Sequence, residues 1–151
     1  MQETPEDKAL EDRLGASKFS GEGFLGTDHR PVDEIIAADL HALAQLGVSK
    51  DTLLTALRDA FEQARAAFGG EVEIRPGVTA VAHESMGRIP SPFRGDGVFE
   101  KGDVVLASAA GEQLVLTALG LAMIEKHSFF QGRGSRYRVD PARAAALLGL
   151  V

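Results

Sequence analysis

Two apolar stripes at helical spacing, broken by a single Gly-Val step and followed at once by alternating strands, constrain this chain more than anything else in it. Over residues 31–46, Val32, Ile35, Ile36, Leu40, Leu43 and Leu46 recur every three or four positions, which is the period of one helical face. Pro31 suits a first turn, and Asp33 and Glu34 stand where the helix dipole favours carboxylates. Gly47 ends that stripe. Ser49 then caps a second, over residues 50–68, with Leu53, Leu54, Leu57, Phe61, Ala64 and Phe68 as its buried face, and Gly69-Gly70 as its stop. A helical hairpin is the expected result.

Strand signals follow. Val72 and Ile74 alternate with polar residues, Pro76-Gly77 has the make-up of a tight turn, and residues 78–86 continue as a longer strand. Residues 87–102 form a Pro/Gly-rich loop, long enough to be a lid over a pocket. Residues 103–108 and 113–117 pair around Ala110-Gly111, and residues 118–126 are apolar nearly all round, as in a helix buried on most sides. A short strand is expected over 136–139. Asp140 as cap and Pro141 at the first position then open a last helix. The fold class is therefore α+β: a helical hairpin followed by a mostly antiparallel mixed sheet of four or five strands with flanking helices. Residues 1–26 read as an acidic, glycine-punctuated arm, partly disordered but tied down by Phe19, Phe24 and Leu25; residues 27–151 read as a single domain.

Composition excludes several chemistries. The 151 residues contain no cysteine, so disulfides, thiolate catalysis and cysteine-held zinc are out. His29, His41, His83 and His127 are scattered without the i,i+4 spacing of a helical metal site, and no metal is expected. The acidic opening offers neither the basic nor the apolar region of a secretory signal, no apolar run is long enough to span a bilayer, and a cytoplasmic location is expected. The net charge of −6 sits in residues 1–48, with ten carboxylates against four bases. An acidic front argues against nucleic acid as a partner.

The chemically densest stretch is HSFFQGRGSRYRVDP, residues 127–141. Gly132 and Gly134 expose backbone N–H groups, Ser135 adds a hydroxyl, and Arg133, Arg136 and Arg138 add charge. If 136–139 is extended, Arg136 and Arg138 share a face. Open amides beside forked guanidiniums suit a phosphate or a carboxylate. Gly132, Arg133, Gly134, Ser135, Arg136 and Arg138 are thus the candidate ligand-binding residues, for an anionic small molecule or a carboxylate-bearing partner. His127 is the candidate acid or base for an enzyme reading of the same loop. The arginines pairing with acids of their own chain is the structural alternative. A third reading is a homodimer built on Phe129, Phe130 and the acidic arm. This C-terminal string resembles that of small uncharacterised bacterial cytosolic proteins ending in an HxFFxGxGSxYRxDP-like pattern, a resemblance that implies a bacterial cytosolic domain and no activity.

Other motifs fail on context. GEGFLG (residues 21–26) spells GxGxxG, but no strand precedes it and no βαβ unit surrounds it, so no nucleotide cofactor is expected. Ser135, His127 and an aspartate make a triad in residue types only. ALAQLGVSKDTLLTAL (residues 42–57) resembles the helix-turn-helix segment of bacterial transcription regulators, with Gly47 at the turn and Ser49, Lys50, Asp51 and Thr52 towards the groove. Its first helix is too long for that motif, and Asp51, Asp59 and Glu62 would repel phosphates.

Overall fold

A computed structural model describes residues Pro5, Leu10, Arg13 and 23–151. Most of the expected arm, Phe19 included, lies outside the described residues. The elements run α1 (Val32–Leu46), α2 (Lys50–Ala66), β1 (Val72–Arg75), β2 (Val78–His83), β3 (Arg88–Pro90), β4 (Val98–Glu100), β5 (Asp103–Ser108), β6 (Gln113–Thr117), α3 (Ala118–His127) and α4 (Pro141–Leu147). Strands β1-β2-β5-β6 form one antiparallel sheet, in that order. The fold is α+β with helices flanking the sheet, as the periodicities require. No helix among the described residues is long and apolar enough to cross a membrane.

The stop of α1 and the starts of α2, α3 and α4 follow from their local chemistry. Gly47, at φ 72°, gives α1 its left-handed stop and returns its N–H to Ala44 and Leu43. Ser49 caps α2 by accepting from the Thr52 N–H, Thr117 caps α3 through Gly120, and Asp140 caps α4 through Arg143. Ala80, Val104, Leu106, Leu114 and Leu116 line the covered face of the sheet, in one cluster with Leu53, Leu57, Phe61 and Ala64 of α2. A second cluster joins Phe24, Val32, Ile35, Phe93, Leu119, Met123 and Phe129. Helix α3 serves both, with Leu121 and Ile124 on the first and Leu119 and Met123 on the second, which is why it is apolar all round.

Three local expectations need correction. The loop at 87–102 contains a hairpin of its own, β3 with β4, registered Arg88 to Glu100, Ile89 to Phe99 and Pro90 to Val98. Residues 136–139 are not a strand: the Arg138 N–H turns back to the Ser135 carbonyl, so Arg136 and Arg138 do not share an extended face. Phe68 does not belong to the buried stripe of α2. The helix ends at Ala66, Phe68 adopts φ 51°, and the residue is 92% exposed.

Phe129 and Phe130 are 0% and 1% exposed and belong to the second and first cluster respectively. A homodimer surface built on them is therefore not supported. The helix-turn-helix resemblance also loses its cation at the groove. Lys50 donates through Nζ to the Glu125 carbonyl and to Ser128 Oγ, and Arg58 pairs with Glu125, so both bases tie α2 to α3.

Candidate functional site

The Gly/Arg loop is where the chain closes on itself. The Gly132 N–H donates to the Phe24 carbonyl at 2.8 Å, the Thr27 N–H donates to the Arg133 carbonyl at 2.9 Å, and the Thr27 hydroxyl reaches the same carbonyl at 3.2 Å. Contact is backbone to backbone. A Cβ on Gly132 would stand 2.3 Å from the Leu25 carbonyl oxygen, and one on Gly26 would stand 2.2 Å from the Ser135 nitrogen. Residues 24–27 and GRGS, residues 132–135, are thus the two sides of one crossing.

The crossing already holds a carboxylate. Asp28 accepts from the Arg133 N–H at 3.2 Å and from the Arg30 guanidinium at 2.9 and 2.6 Å. Its side chain is 2% exposed. The Arg30 hydrogen bond, helped by the two backbone N–H groups and the Arg30 charge and opposed by burial, holds the Asp28 carboxyl far below the usual range. A depressed folded-state pKa adds stability that is complete above the ordinary aspartate value of about 4 and is lost as pH falls below it. Asp28→Asn is expected to lower stability at pH 7 and to flatten its fall between about pH 4 and pH 2, read by urea unfolding across that range. An unchanged acid slope would contradict this role.

Arg138 is engaged in the same way. Its guanidinium takes both oxygens of Asp39, at 2.9 and 2.8 Å, and donates to the Gln131 carbonyl at 2.6 Å. The two side chains are 12% and 7% exposed. Burial alone would lower the Arg138 pKa, but the bond to Asp39 and its charge more than offset that, and it is raised. Ser135 is buried and gives its hydroxyl to Gln131 Oε1 at 2.7 Å. Of the six candidate ligand residues, Gly132 and Arg138 are committed to partners within the chain, as are the Ser135 hydroxyl and the Arg133 amide. Gly134 (φ 86°) turns the chain against Thr27. The side chains of Arg133 and Arg136 remain exposed, with the Arg136 guanidinium 5.3 Å from the Tyr137 ring centroid.

The Ser135 hydroxyl goes to Gln131, while His127 has a carboxylate partner. Its Nε2 lies 2.7 Å from Asp96 Oδ2, and its ring stacks on Phe93 at 3.8 Å and 9°. Asp96 and Phe93 fasten the segment between β3 and β4 to His127 and Phe129, and Arg13 Nε donates to the Pro92 carbonyl at 2.7 Å. His127 lines neither cavity described next.

A cleft opens where α2 ends. About 260 Å³ in volume, it lies between that helix end, the finish of β2 and the start of β5, with Phe61, Val104 and Ala118 as apolar lining. Arg65, His83, Glu84, Glu100 and Asp103 supply the polar lining, three carboxylates to one guanidinium. Arg65 reaches Glu100 at 3.3 Å, and His83 Nδ1 lies 3.1 Å from Asp103 Oδ1. A second cavity of about 170 Å³ adjoins it, sharing Ser85, Glu100 and Asp103 and extending under Ile89 of β3 to Gln131 and Tyr137. The β3–β4 hairpin thus walls both, the position a lid would take.

Phe68 lines the first cavity. Its left-handed backbone is one that glycine or asparagine normally takes after a helix, and it costs a bulky side chain about 1–2 kcal/mol. Met86, next in the chain after the cleft residue Ser85, is 95% exposed. Two large apolar side chains in water, one of them on a strained backbone, contribute little to the core.

Sequence reading missed Asp39, Gln131 and Phe68. Asp39 had a signal: it falls four residues after Ile35 and four before Leu43, inside the buried stripe of α1, where a carboxylate demands a cation. No family model, curated protein or solved structure matches the chain.

Proposed function

We propose that the chain is a binding module for a small amphipathic molecule taken up in the cleft at the end of α2. The observation that carries this is Phe68, exposed at 92%, held at φ 51° and lining the cavity. Stability alone would place glycine or asparagine there, so the strain is traced to use. Apolar lining and an excess of carboxylates favour an apolar group that also carries a positive charge. An external anion at 132–138 would find only the Arg133 and Arg136 side chains uncommitted, which makes that site the weaker reading. An acid–base function would rest on His83 with Asp103, which line the cleft, rather than on His127.

Phe68→Asn separates the two roles. The variant is expected to be more stable by about 1 kcal/mol, since asparagine tolerates the left-handed conformation, and to melt about 2–4 °C higher. It is also expected to bind phenethylamine about two- to fivefold more weakly, through loss of the aromatic contact to the ammonium. Thermal unfolding and calorimetry read the two effects. A less stable variant, or one that binds phenethylamine as the parent does, would contradict the assignment.

A further inference from the structure

At the other end of the sheet strands, the β1–β2 turn, the β5–β6 turn and α4 enclose an open groove of about 580 Å³. We propose that this groove binds a medium-chain carboxylate, with its alkyl chain on the alanine face of α4 and its carboxylate at Arg75 and Arg143. The groove exists because its walls are small. Ala142 and Ala146 lie one turn apart on the same face of α4, Ala109 and Ala110 stand opposite on the β5–β6 turn, and Val78 and Leu147 complete the apolar lining. No aromatic side chain fills it.

The charges select the head group. In a chain of net charge −6, this groove is lined by two guanidiniums and one carboxylate, Glu112. Arg75 is held in place by one bond, to the Leu147 carbonyl at 3.1 Å, and lies under the terminal turn, where a Cβ on Gly149 would meet its Cζ at 2.5 Å. Among the described residues it faces no carboxylate within ion-pair distance. The side chain is exposed, and its other N–H groups face no acceptor among the described residues. Arg143 sends Nε and a terminal nitrogen to the same Glu112 oxygen, at 3.2 and 2.9 Å. That pair is 61% and 56% exposed, so exchanging Glu112 for another carboxylate costs little. An amine would instead meet two cations and a carboxylate already in use.

The test is an amide-shift titration of the full chain with octanoate, beside octylamine and 1-octanol as charge-reversed and neutral probes of equal chain length. Octanoate is expected to shift the amides of residues 75, 77, 78, 108–112 and 142–147 in a saturable way, and octylamine to leave them unmoved. Ala146→Leu, on the exposed face of α4, fills the groove and should abolish the shifts while leaving the rest of the spectrum intact. Glu112→Gln frees Arg143 and should tighten octanoate about three- to fivefold, and Arg143→Gln should weaken it by a similar factor. Octylamine binding as tightly as octanoate, unchanged binding in Ala146→Leu or in Arg143→Gln, or octanoate shifts confined to other residues would each overturn the proposal. The reporting residues do not overlap those of the cleft, so the two sites are judged separately.

Discussion

Gly132→Ala is expected to destabilise the protein by about 3 kcal/mol, because the new methyl group has nowhere to go. Its Cβ would lie 2.3 Å from the Leu25 carbonyl oxygen and 2.8 Å from the Leu25 carbonyl carbon and Cα. Those atoms are backbone and cannot swing aside as a side chain would. Relief requires the strand of chain from Phe24 to Asp28 to lift away, which breaks the Gly132-to-Phe24 and Thr27-to-Arg133 bonds and opens the cluster around Phe24. For a domain of this size the melting temperature should fall by about 6–12 °C. Gly111→Ala is the control. It sits at φ 91° with nothing within 4 Å of the added carbon, so it should cost only the left-handed penalty of about 1–2 kcal/mol. Gly132 carries no positive-φ requirement, so a loss there reports the crossing itself. Equal and small losses at both positions would mean that the crossing is absent in solution.

The second large effect is expected at the Asp39–Arg138 pair. Removing either partner strands a buried charge, at a cost of about 3–5 kcal/mol. Asp39→Ala leaves the Arg138 guanidinium with the Gln131 carbonyl and a longer contact to Asp140 at 3.5 Å. Arg138→Ala leaves the Asp39 carboxylate buried without its bidentate partner. The double variant should cost clearly less than the sum of the two, since nothing is then left unpaired. Urea unfolding of the four proteins measures the coupling. Additive losses would show that the two groups do not meet.

Both effects concern a stretch that reads locally as a ligand site. What was legible in the sequence is what short-range physics decides: the two helices of the hairpin, the hairpin of β5 and β6, the apolar helix α3 and the Asp140-Pro141 start of α4. What was not legible depends on partners about a hundred residues away. Glycines that open a backbone to phosphate look the same as glycines that let another backbone cross, and only the position of Leu25 against Gly132 distinguishes them. Likewise Arg138 looks free until Asp39 is brought to it. Asp39 itself was readable as an anomaly in the stripe of α1. Phe68 was not, because it continues the period of α2 by spacing while the helix stops two residues earlier and throws it outward.

The cleft and the Gly/Arg loop are most directly separated by one amide-shift titration of the unmodified chain, first with inorganic phosphate and then with phenethylamine. Phosphate is predicted to leave Gly132, Arg133, Gly134, Ser135 and Arg136 in place, and phenethylamine to move Arg65, Phe68, Glu84, Ser85, Glu100 and Asp103. Saturable phosphate shifts across residues 132–136, with the cleft unmoved by phenethylamine, would contradict the assignment of the binding site to the end of α2.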